Sequence, residues 1–143
     1  MPLFKRAKTS EHPKINIAEL QASFQGKPFH LLVEAHIKKS KKKENLMFTM
    51  AGTVGLLPEP ARDLASGFID RWSDASRVYD ATFWHADTSE VFEAIITDAR
   101  KALESFEAPV DDGTLFYMFQ IVVLNYAANA IDQPAMREFM AQP

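Results

Sequence analysis

Residues Leu115 to Ile131 are the most apolar run of the chain, and written on a helix they are apolar on nearly every side. A helix with no polar stripe has no face to offer water, so other elements must enclose it. Its length approaches that of a short bilayer span, but Gln120, Asn125 and Asn129 interrupt the run and no basic residue anchors either end. The expectation is a buried central helix and no membrane span. A chain of 143 residues is long enough to bury such a core, because at this size about two-thirds of the unfolded surface is lost on folding.

The surrounding segments repeat at helical spacing. Val91, Phe92, Ile95, Ile96, Ala99, Ala102, Leu103 and Phe106 form a stripe that ends before Pro109, with Asp87 and Glu90 marking its start. Ala61, Leu64, Ala65, Phe68, Ile69, Trp72, Ala75 and Tyr79 recur at three and four, with Pro60 in the first turn. Asn16 with Glu19 resembles a capping box, and Gly26 stands where a helix end wants positive φ, framing a short helix over about 17 to 25. Asp111-Asp112-Gly113 reads as a turn, and a last short helix starts at Pro134. The fold class this predicts is all-α, an irregular bundle of about five or six helices spanning residues 15–143 as a single domain after a flexible basic arm at 1–14.

Residues 28 to 57 support two structures. Phe29, Leu31, Val33, Ala35 and Ile37 alternate with polar residues as a half-buried strand would, and Leu46, Phe48 and Met50 could pair with them, giving an α+β alternative with a β-hairpin at about 29–52. Phe29, Leu32, Val33, His36 and Ile37 also make a helical stripe, as do Leu46, Met47, Met50, Ala51 and Val54. No Asn-Gly or Asp-Gly closes a hairpin. Two helices joined near Lys38 to Glu44 are the favoured expectation.

Charge is divided unevenly. Residues 1–44 hold ten Lys/Arg against four Asp/Glu, a net +6, while residues 45–143 hold six against fifteen, a net −9. Lys38, Lys39, Lys41, Lys42 and Lys43 are the densest part of the basic third and the first candidate site. Clustered ammonium groups release counterions on meeting phosphate, but the run has no Arg and no interleaved aromatic for base stacking. A solvated loop, a phosphate-binding patch and a dock for an acidic protein surface are its three readings.

A second candidate is the aromatic group Tyr79, Phe83 and Trp84, which could wall a pocket, anchor an interface or pack in the core. Asn125, Asn129 and Asp132 share one face of the apolar helix, and polar groups there need local partners, a pocket or the matching face of a second subunit. Among the four His, only His30 with Glu34 has helical ligand spacing, and neither Glu-x-x-His nor His-Glu-x-x-His occurs. With no Cys, no thiolate site or disulfide framework is available. No catalytic residue, metal or cofactor is expected. The N-terminal basic residues precede no apolar run of signal-peptide length, which makes the cytoplasm the expected location. The function expected is macromolecular interaction by a small non-catalytic helical protein acting as a homo-oligomer. The alternatives are a nucleic-acid-associated protein using the arm and the Lys38 to Lys43 run, and a small-ligand-binding bundle.

Overall fold

In the computed structural model, which describes residues 15–142, the run at 115–131 lies inside a 21-residue helix, Asp112–Asp132. The chain order is α1 (Ile17–Ser23), α2 (Phe29–Ser40), α3 (Lys43–Gly55), α4 (Glu59–Trp72), α5 (Ala75–Val78), α6 (Ala81–His85), α7 (Thr88–Ser105), α8 (Asp112–Asp132) and α9 (Pro134–Ala141). The expected basic arm at 1–14 lies outside the described residues. Helices α1, α2, α3, α4, α7 and α9 all pack on α8, and α3 makes the most extensive contact with it. By length and composition α8 is apolar enough to cross a bilayer, yet 67% of its most apolar window is buried by these neighbours.

The bundle is all-α among the described residues, and the hairpin alternative at 29–52 is corrected to two helices. Burial shows why. A strand would put Phe29, Leu31 and Val33 on one face, whereas Phe29 and Val33, four apart, are fully buried and Leu31 is 53% exposed. Lys43, the first residue of α3, pairs with Asp132, the last of α8, as antiparallel helices require.

The expected count of five or six is also corrected, to nine helices among the described residues. The stripe at 61–79 breaks at Ser73, because Asp74 accepts from the Ser76 amide at 2.9 Å and starts α5. Asp80 repeats the device for α6 through the Thr82 amide at 3.0 Å. Short acidic side chains bonded to the backbone two residues on compete with a continuous helix. Asp111 caps α8 through the Thr114 amide, so Asp112 and Gly113 belong to its first turn instead of a separate turn.

Asp87 does two jobs. One carboxylate oxygen accepts from the Ser89 amide and hydroxyl, capping α7, and the other accepts from the Gly26 amide at 2.7 Å. Gly26 has φ +78°, a conformation glycine adopts without strain. The Thr88 amide and hydroxyl both donate to the Lys27 carbonyl, and the Phe29 amide donates to the Ala86 carbonyl at 2.9 Å. The α1–α2 turn is thereby fastened to the start of α7, which fixes the direction in which α2 carries the lysine run.

Candidate interaction surface

The lysine run forms the corner between α2 and α3. Lys38 and Lys39 end α2, where cations suit the helix dipole. Lys41 is its C-cap with φ 70°, and Lys42 and Lys43 start α3. The Lys41 amide donates to the Ile37 carbonyl at 2.8 Å, and the Asn45 side chain closes the corner on the Ser40 carbonyl at 2.8 Å. Lys38, Lys39, Lys41 and Lys42 are exposed. Lys43 differs, because its ammonium meets Asp132 at 2.5 Å. That pair stands in solvent and contributes little to stability.

The outward side of α3 continues from this corner. Leu46, Thr53 and the following Leu57 are buried and Met50 and Val54 half-buried, so the helix points this side at α8 and α4. The opposite side carries Phe48, Ala51, Gly52 and Gly55, flanked by Met47 and Leu56. Phe48 is 81% exposed, Met47 44% and Leu56 49%. A Phe this exposed at the centre of a run of apolar and small residues is an apolar patch, the feature that marks contact with another molecule.

The expected interface or pocket residues divide between core and surface. Trp84 is fully buried: its indole donates to the Val78 carbonyl at 2.8 Å, stacks on Phe29 and meets Tyr126 edge-on at 5.3 Å. Phe83 is half-buried in the same cluster, against Phe29 and Tyr126. Tyr79 is partly exposed, but its hydroxyl donates to Gln133 and its ring rests on Phe139, joining it to α9. Asn125 donates to the Ser73 hydroxyl at 2.6 Å, holding the end of α4 against α8, and Asn129 is half-buried. The fold therefore unites Phe83 and Trp84 in the aromatic cluster and sends Asn125 to a local partner.

His30 and His85 bring their rings to 4.5 Å, and the Nε2 of His85 is buried with no hydrogen-bond partner among the described residues. Burial first, then the neighbouring His85, lowers the pKa of His30, with Glu34 acting in the opposite direction. Glu34 itself is bound by Arg137 at 3.0 Å. Among the described residues no group of three or more His, Asp or Glu side chains could hold a metal ion. Between α4 and α7 lies a cleft of about 440 Å³ edged by Arg71, Asp98, Lys101 and Phe106, and Arg71 spends its charge on Asp98 at 3.0 Å.

Phe48 was not among the residues singled out from sequence, although a signal existed. On the helical reading of 46–54 it falls off the apolar stripe, so a helix there must expose it. No protein-family model, curated protein or solved structure matches this chain.

Proposed function

We propose that this chain works by binding another macromolecule, without catalysis of its own, and that it does so as a homo-oligomer. The observation carrying the proposal is Phe48, 81% exposed on the outward side of a helix whose other side packs on α8, with the exposed Met47 and Leu56 beside it. Leaving that much apolar area in water is unfavourable by roughly 25 cal/mol for each Å² that a partner would cover. Four exposed ammonium groups at the adjoining corner add long-range attraction for an acidic surface, and residues 45–143 carry a net −9. The test is light scattering coupled to size exclusion at micromolar concentration. A discrete oligomer is expected, and a strict monomer would remove the homo-oligomer from the proposal.

One observation favours a second reading, association with nucleic acid. Lys38, Lys39, Lys41 and Lys42 stand together in solvent, while Lys43 beside them is paired with Asp132. Changing all five lysines to Gln should then abolish a mobility shift and flatten its salt dependence. A wild type that shifts no oligonucleotide at low salt ends this reading.

A further inference from the structure

We infer that two copies pair through α3, antiparallel across a two-fold axis near residue 50, with Phe48 of each copy seated on Gly52 of the other. The inference rests on the homo-oligomer reading above and adds to it the surface and the register. Three observations point to a second copy as the occupant.

First, Gly52 and Gly55 lie on the same outward line as Phe48, at i+4 and i+7. A Cβ built on either glycine would meet nothing within 4 Å. Neither glycine is therefore needed for packing among the described residues, although glycine weakens a helix. The missing side chains leave a shallow seat that admits a close neighbouring helix, and an aromatic ring four residues away is the matching projection. A two-fold axis supplies projection and seat from one sequence, as a self-complementary patch requires.

Second, the charges match in that orientation. Lys38, Lys39, Lys41 and Lys42 stand at the N-terminal end of α3, while its C-terminal end leads into exposed Glu59 and Asp63 of α4. Antiparallel pairing with Phe48 opposite Gly52 brings the N-terminal end of each α3, beside the lysine corner, to the C-terminal end of the other, which leads into α4, where exposed Glu59 and Asp63 outnumber Arg62. A parallel pair would put lysine against lysine and be repelled.

Third, the polar residues on the outward line are confined to its start, Glu44 and Asn45, and the stretch from Met47 to Leu56 carries only Thr49 among its exposed polar side chains. The apolar part is thus centred where the axis falls.

Because the chain contains no Cys, introduced thiols report the geometry without background. Ala51→Cys, next to the axis, should be joined to its copy by a short bismaleimide, whereas Arg100→Cys, exposed on α7, should not. In light scattering Phe48→Asp should run as a monomer with unchanged circular dichroism. Gly52→Leu, whose Cβ meets nothing within 4 Å among the described residues, should weaken association by about tenfold or more while leaving the monomer folded. An oligomer in which Ala51→Cys stays unlinked and Phe48→Asp still assembles would overturn the α3 pairing and leave the homo-oligomer reading standing. A wild-type monomer would overturn both. A monomer that sediments with phosphatidylserine vesicles, or shifts a single-stranded oligonucleotide, in a Phe48-dependent way would also overturn the pairing and assign the face to that ligand.

Discussion

The hydroxyl of Tyr126, in the middle of α8, donates to the backbone carbonyl of Trp72, the last residue of α4. Tyr126 is fully buried, and burial pushes its hydroxyl pKa above the usual phenol range, which favours the protonated, donating form. The Trp72 indole in turn donates to Asp98 of α7 at 2.8 Å, and Arg77 lies 4.3 Å over its ring. Three helices thus meet through one residue at the break that begins α5. Tyr126→Phe removes the donor and leaves the carbonyl buried. We expect a loss of about 1–3 kcal/mol in urea unfolding, with the oligomeric state unchanged.

Phe48 and Phe119 should differ widely in what their truncation costs the folded chain. Phe119 is 1% exposed and packs against Phe92 at 4.8 Å and Phe24 at 5.9 Å. Phe119→Ala should cost about 3–5 kcal/mol through the cavity it leaves. For Phe48→Ala, measured at concentrations below association, the change should stay within about 0.5 kcal/mol. A large loss of monomer stability on removing Phe48 would mean that it packs inside its own chain.

Gly52→Ala should raise the thermal midpoint of the dissociated chain. The added methyl meets nothing within 4 Å, and replacing a helix-interior glycine with Ala is worth about 0.5–1 kcal/mol. The same methyl intrudes on the seat proposed for Phe48, so stability of the monomer and strength of association should move in opposite directions.

Stability should fall with acid in two stages. The pKa of His30 is lowered by burial and then by His85, and that of His36 by burial and then by Lys39, from the ordinary value of 6.5. Folding therefore favours the neutral form of these rings, and as pH drops below 6.5 the unfolded chain takes up protons first, so stability rises with pH in that window and levels off above it. A second loss follows below the ordinary carboxylate value of 3.8. Serine and backbone donors hold the carboxyls of Asp74 and Asp87 below it, and their contribution disappears as pH falls through the folded values. Thermal melts at about pH 7.5 and about pH 5 check the first stage. The His30→Gln, His36→Gln double variant should narrow the difference between them.

Lys41 has φ 70° at the end of α2, a region that residues with a Cβ seldom adopt. Lys41→Gly should relieve that strain and raise the melting midpoint, while removing one charge from the corner. If the midpoint falls instead, the Lys41 side chain has a stabilising role.

Local pattern was enough to identify the helical class, the central position of α8 and the caps at Asn16 and Asp87, because each depends on residues within a few positions of one another: an apolar run with no wet side, or a carboxylate two residues before an amide. It was also enough to show that Trp84, Asn125 and the lysines were unusual. Pattern could not say which way any of them faces. The strand and helix periods of Phe29 to Ile37 share Phe29 and Val33, and burial of those two with Leu31 in solvent is a property of the assembled bundle. Likewise the stripe through Tyr79 continues past Ser73, and the break there is set by Asp74 and by the bonds that Ser73 and Trp72 make to α8. Sequence by itself therefore determined the helical class and how the charge is divided, while the choice at residues 28–57 and the division of the stripe at 61–79 were settled by packing and capping. Tertiary structure alone decided that Trp84 is enclosed and Phe48 exposed, because exposure depends on which neighbours arrive from distant parts of the chain, and among the described residues none covers the outward face of α3.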